Sequence, residues 1–162
     1  MADVFTVTFI ILGFLITLPA LWLLMRALFP AAVERSRGRI EATPIRCFLA
    51  GFLPALVALA LMAQPAPGGK GLGVLLFLVL VLLSGIGLAG FSMIVGERLP
   101  STADAGRPWR GLVRGAVCLE LAFLLPVLGW LGILPIVLVT GLGAAMMALF
   151  SRGGSAPAPA AA

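Results

Sequence analysis

Apolar residues run along this chain in long blocks, and polar residues are gathered into short segments between them. The first block, Val4 to Phe29, carries one charge, Arg26, near its end. A second runs from Cys47 to Ala63 and a third from Leu72 to Val95. From Gly111 to Phe150 the only charges are Arg114 and Glu120. A straight helix over that last stretch would reach about 60 Å, well beyond the hydrocarbon thickness of a bilayer, about 30 Å. Two arms joined by a tight turn fit instead. The run LLPVLGWLG supplies the turn: Pro126 ends a helix, Gly129 permits the reversal and Trp130 suits a membrane interface. The fourth arm is then Gly111 to about Leu125, and the fifth about Leu131 to Phe150. The pattern predicts an all-α integral membrane protein with about five transmembrane helices. Residues 1–29 form an N-terminal transmembrane helix and 30–152 a membrane domain of two hairpins. Residues 153–162 end a low-complexity stretch and are expected to be a disordered tail.

The segments between the blocks have their own composition. Met1 to Asp3 lacks the basic residues of a secretory signal, so Val4 to Phe29 is expected to be retained as a span. Pro19 should kink it, and Trp22 with Arg26 should mark its inner end. Pro30 to Arg46 reads as a polar loop, Gln64 to Gly71 as a turn rich in proline and glycine, and Gly96 to Arg110 as a second polar loop. If the 30–46 loop faces the cytoplasm, five spans put every arginine on that side and leave Lys70 alone on the other. The N-terminus is then outside and the C-terminus cytoplasmic. Arg35, Arg37, Arg39, Arg107, Arg110 and Arg114 are the membrane-surface basic residues. They read either as a positive-inside signal or as a patch for anionic lipid headgroups.

Composition narrows the chemistry. Hydrophobic residues make up 62% of the chain and charged residues 10%, against about 45–50% and about 25% in soluble domains. The apolar excess needs a lipid-facing surface. No His and no Tyr are present, which removes the commonest general base and metal ligand. Cys47 and Cys118 fall in predicted spans and suit apolar filler rather than a disulfide or zinc framework. No triad, metalloprotease motif or phosphate loop is found, and the Gly-x-Gly elements lie within helices. Neither an enzyme nor a cofactor is expected, and no catalytic, cofactor-binding or metal-ligating residue is assigned. The net charge of +5 follows the loops, so nucleic acid is not an expected partner. Preference for Arg over Lys with abundant Ala and Gly suggests a GC-rich bacterial source and a bacterial inner membrane.

Two features stand out within the spans. Gly85, Ala89, Ser92 and Gly96 share one helix face, and Gly141, Ala144, Ala145 and Ala148 form another. Of these, Gly85, Ala89, Ser92, Gly141 and Ala145 are the candidate helix-packing residues, because small side chains let helices approach closely in lipid. They can serve packing within the chain, or a homo-oligomer or larger membrane complex. The second feature is Glu120, in CLELAFLLP. A carboxylate inside a bilayer costs about 2.5–3.5 kcal/mol on insertion scales. It can be a proton or cation site. It can equally be a structural hydrogen bond to Ser84, Ser92 or Thr140, or a shallow position that snorkels to the surface.

The ends of the third and fifth arms echo one another. Ser84-Gly85-Ile86-Gly87-Leu88-Ala89 matches Thr140-Gly141-Leu142-Gly143-Ala144-Ala145 in chemical type. Arg46 and Pro54 are echoed by Arg114 and Pro126. A duplicated, parallel pair of hairpins, 46–98 and 110–152, would produce this. The stretch Gly96 to Phe150, with its GERLP, RPWRGLVRG, LLPVLGWLG and GLGAA elements, resembles the C-terminal membrane domain of transmembrane bactofilin-like (polymer-forming) bacterial proteins. In those, a soluble β-helical domain precedes four spans, and the likeness would cover residues 46 to 152. Here a single hydrophobic span stands where the β-helix would be. The resemblance therefore implies a membrane module without the polymerising activity. The expected function is that of a structural or interaction protein, a scaffold or accessory subunit in the membrane. The alternative is a small transporter or channel using Glu120.

Overall fold

The computed structural model describes residues 2–63, 67–99 and 108–150. Every regular element among them is helical: α1 (Ala2–Leu28), α2 (Pro30–Ala42), α3 (Pro44–Met62), α4 (Pro67–Arg98), α5 (Pro108–Phe123) and α6 (Leu134–Phe150). A π-helical segment, Leu128–Ile133, leads directly into α6. The expected 153–162 tail, Arg107 and most of the 96–110 loop lie outside the described residues.

Two prolines set the first helix breaks. Phe29 (φ −129°, ψ 56°) and Thr43 (φ −145°, ψ 66°) leave the helical region, because a following proline ring disfavours it. Pro30 and Pro44 then open the next helices, where a missing N–H costs little. The segment between them corrects the expected polar loop, since Pro30–Ala42 is helical. Its Val33, Ser36 and Ile40 are buried, at the spacing of one helix face, and its charges occupy the others. Pro19 and Pro54 lie inside α1 and α3 without ending them.

Among the described residues, four helical stretches are long and apolar enough to cross a bilayer: Val4–Leu28, Pro44–Met62, Gly71–Arg98 and Leu128–Phe150. Large side chains on them face outward, among them Phe9 (71% exposed), Leu53 (68%) and Leu131 (80%). Such a belt is an aggregation surface in water and an ordinary surface in lipid. The molecule is accordingly a multi-pass, all-α membrane protein. The remaining arm, α5, has 16 residues, about 24 Å of helix, and carries Arg110, Arg114 and Glu120. It is present as a helix but shorter than the other four.

The chain reverses where LLPVLGWLG predicts. Helix α5 stops at Phe123, and Gly129 folds back onto its end, with its N–H donating to the Leu125 carbonyl at 2.9 Å. A β-carbon on Gly129 would come within 2.5 Å of the Ala122 and Phe123 carbonyl oxygens. Only glycine fits this return.

Backbone-to-backbone crossings fix the bundle. The Ser84 hydroxyl donates to the Leu138 carbonyl at 3.0 Å, and Gly87 lies on Gly141. Both pairs have the same offset along the chain, so α4 and α6 run parallel. Gly96 meets Gly111 and Ser92 meets Gly115, so α4 and α5 are antiparallel. Gly51 and Gly143 bring α3 and α6 together antiparallel. The first arm of each hairpin thus packs mainly on the second arm of the other: α3 on α6, and α5 on α4. The two echoed segments meet each other at Gly87 and Gly141. Helix α4 is central, with Ser84 to Gly90 buried on every side.

Candidate functional site

Helix α5 has one buried stripe. Leu112, Ala116, Leu119 and Phe123 are core residues at spacings of four, three and four, which is one face of a helix. Glu120 sits on this stripe at 1% exposure, while Leu121 and Cys118 on the other side are exposed. The register of Gly96 with Gly111 and Ser92 with Gly115 places Glu120 level with Gly87 and Leu88 of α4. It lies about 18 Å along α5 from Pro108.

Among the described residues the carboxyl has no partner. Both Glu120 oxygens are buried without a hydrogen bond. The three hydroxyls proposed as structural partners are engaged elsewhere. Ser84 donates to the Leu138 carbonyl at 3.0 Å, Ser92 to Leu88 at 2.9 Å and Thr140 to Ile136 at 2.6 Å. Glu120 is enclosed by protein, at 1% exposure. A buried, unpaired acid is unusual, since desolvation without a compensating hydrogen bond is costly.

Ala89 and Ala145 are fully buried in the largest core cluster. Ser92 and Gly141 lie at the α4–α5 and α4–α6 crossings. Gly85 is not at a crossing: a β-carbon there would stand 3.7 Å from the Met25 side chain, an ordinary contact. The tightest α4 glycines are Gly87 and Gly96. Sequence reading missed Gly51, Gly111, Gly115 and Gly143, though Gly111-x-x-x-Gly115 is itself a small-residue repeat at helical spacing. These small faces are used within the chain.

Among the basic residues, Arg37 is held by three carboxylates, Glu97 at 2.6 Å, Glu41 at 3.5 Å and Glu34 at 3.9 Å. It ties α2 to the end of α4. Its backbone packs on Gly90, 3.2 Å from where a β-carbon would be. Arg35 is exposed and Arg39 half-buried. Arg110 lies over the Trp109 ring at 5.6 Å, a cation–π contact. Arg114 donates to the Leu99 carbonyl. Helix α2, the end of α4 and the start of α5 are therefore adjacent, and these arginines gather toward one end of the bundle.

Two buried polar groups were not anticipated. Trp22 was expected at an interface, yet it is 1% exposed, packed in the core with Met25 and Val33, and its indole N–H has no partner. Ser36 on α2 is likewise buried and unpartnered. Trp109 and Trp130 are exposed, as interfacial anchors should be. Cys47 is buried with its sulfur 4.0 Å from that of Met147, and both cysteines are free thiols. Among the described residues no group of three or more His, Cys, Asp or Glu could hold a metal ion.

No protein-family model matches the chain, and no curated protein or solved structure matches it.

Proposed function

We propose that this multi-pass protein is a structural or interaction component of a membrane assembly, in a bacterial inner membrane with the arginine-rich end cytoplasmic. The observation that carries this reading is the first half of α1. From Val4 to Thr17 every residue except Leu15 is exposed, so this arm stands off the bundle on all sides. Its polar groups are compatible with a lipid or protein surround, since Thr8 and Thr17 donate to the Val4 and Gly13 carbonyls of their own helix, at 2.8 and 2.7 Å. The likeness to the bactofilin-like membrane domain, a module without assigned chemistry, agrees with such a role. The concentration of arginine around α2 agrees with the positive-inside orientation and with contact to anionic headgroups. The test is photo-crosslinking in native membranes from position 9, on the free arm, and from position 53, on the lipid-facing side of α3. A discrete protein adduct of constant mass at 9, with only lipid adducts at 53, supports the reading. Lipid adducts alone at both positions overturn it.

A second reading is favoured by Glu120. An acid enclosed within a membrane bundle, with no partner for either oxygen, is the arrangement of an ion-binding site. It supports a small carrier or channel. Proteoliposomes in which Glu120→Gln abolishes an ion flux would establish it, and equal fluxes would remove it.

A further inference from the structure

We infer that Glu120 is a proton-binding site that holds its proton in the resting protein, so that the ion of the second reading is a proton rather than a metal cation. The inference rests on that reading and narrows it.

The donor set decides between the two ions. Calcium takes six to eight oxygens and magnesium a near-ideal octahedron. Glu120 offers two oxygens. The hydroxyls of Ser84, Ser92 and Thr140 donate to the Leu138, Leu88 and Ile136 carbonyls, and none of them bonds to a Glu120 oxygen. Among the described residues Glu120 belongs to no group of three or more His, Cys, Asp or Glu that could hold a metal ion. A proton needs one oxygen and no further ligands. Binding converts the carboxylate and one proton into a neutral carboxyl group, which removes the charge that the enclosed site cannot solvate.

No described cation offers a different route to neutrality. The elements packed most extensively on α5 are α4, α1 and the π-helical segment. Their described charged groups are Glu97 and Arg98 at the end of α4, and Arg26 of α1; the π-helical segment has none. Helix α5 itself adds Arg110, Arg114 and the thiol of Cys118. None of the arginines forms an ion pair with Glu120, whose oxygens are both unpartnered. Arg114, one and a half turns away, is directed to the Leu99 carbonyl at the bundle end.

A protonated acid in a lipid-enclosed site has a diagnostic reaction. Its O–H adds across the N=C bond of a hydrophobic carbodiimide. The carboxyl oxygen bonds to the central carbon, the proton goes to nitrogen, and the O-acylisourea rearranges to a stable N-acylurea that retains the whole reagent. An ionised carboxylate lacks the proton this step consumes. The full-length protein in liposomes is therefore treated with dicyclohexylcarbodiimide and its peptides are weighed. The expected result is one adduct, on the peptide containing Glu120. It should decline as pH is raised, survive in Glu120→Asp, vanish in Glu120→Gln, and be unaffected by sodium or calcium ions. Suppression of the adduct by either cation would overturn the proton assignment while leaving an ion site. Absence of the adduct at every pH, with Glu120→Asp and the native protein equally unreactive, would overturn the proposal outright. If the adduct forms but Glu120→Gln leaves ion flux unchanged, the proton site stands and the carrier reading falls.

Discussion

Gly51 and Gly143 face each other with room only for hydrogens. A β-carbon on Gly143 would stand 2.6 Å from the Gly51 nitrogen, and one on Gly51 would stand 2.8 Å from the Gly143 nitrogen. The obstruction in each direction is backbone, which cannot rotate away. Replacement of either by alanine should cost about 1–3 kcal/mol by overpacking. Gly13 and Gly38, with nothing within 4 Å, are the controls. Alanine there should be neutral or stabilising by up to about 1 kcal/mol, from helix propensity. Thermal unfolding in mild detergent separates the pairs. Equal effects at all four positions would refute the α3–α6 crossing.

The α4–α6 contact gives a second comparison within one helix. Gly141 has only 3.3 Å between a would-be β-carbon and the Gly87 carbonyl carbon, and Gly87 lies on the Gly141 backbone itself. Gly85, two residues away, meets only the flexible Met25 side chain at 3.7 Å. Gly87→Ala should therefore lower the melting temperature clearly, and Gly85→Ala should leave it near the native value. The reverse order would place the wrong face of α4 against α6.

Arg37 ties α2 to the end of α4, but its partners are about half exposed: Glu34 55%, Glu41 47% and Glu97 54%. Water and salt screen such pairs, so Arg37→Ala should cost about 1 kcal/mol or less. The loss should shrink at high ionic strength. Arg35→Ala, on an exposed side chain, should cost nothing measurable. A salt-independent loss at Arg37 would mean that its side chain acts through packing rather than through charge.

The cysteines report on the two faces of the bundle. Cys118 is exposed on α5 and Cys47 buried against α6. A small lipid-soluble thiol reagent should label Cys118 in the folded protein and reach Cys47 only on unfolding. Mass spectrometry of peptides reads this directly. Rapid labelling of Cys47 would show that α3 does not seat on α6.

The membrane class and the reversal at Gly129 were legible because each follows from a long apolar run or from the special backbone of proline and glycine; the helix limits were not, since α4 begins at Pro67, inside the expected Gln64 to Gly71 turn. Helix α2 was not. Its charges mask a short apolar stripe, Val33, Ser36 and Ile40, that becomes meaningful only once α4 and α6 cover it. The signals were Pro30 at its start and the Glu and Arg residues three and four apart. Trp22 went wrong for a related reason. Tryptophan prefers interfaces when its surroundings are lipid, but here neighbouring helices enclose it. The small faces were read from spacing, and spacing cannot say which glycine in Gly-x-Gly meets a backbone. The isolation of Glu120 depended on where three hydroxyls point, which only the assembled helices determine.

Glu120 is enclosed without a structural partner among the described residues, and replacing it with an apolar residue of similar length tests that most directly. An unsatisfied buried polar group costs about 1–3 kcal/mol. Glu120→Met should therefore raise the midpoint of thermal unfolding in detergent while the helical content stays native. A lowered midpoint would mean that the carboxyl makes a stabilising bond, and would contradict its assignment as a site kept for an ion.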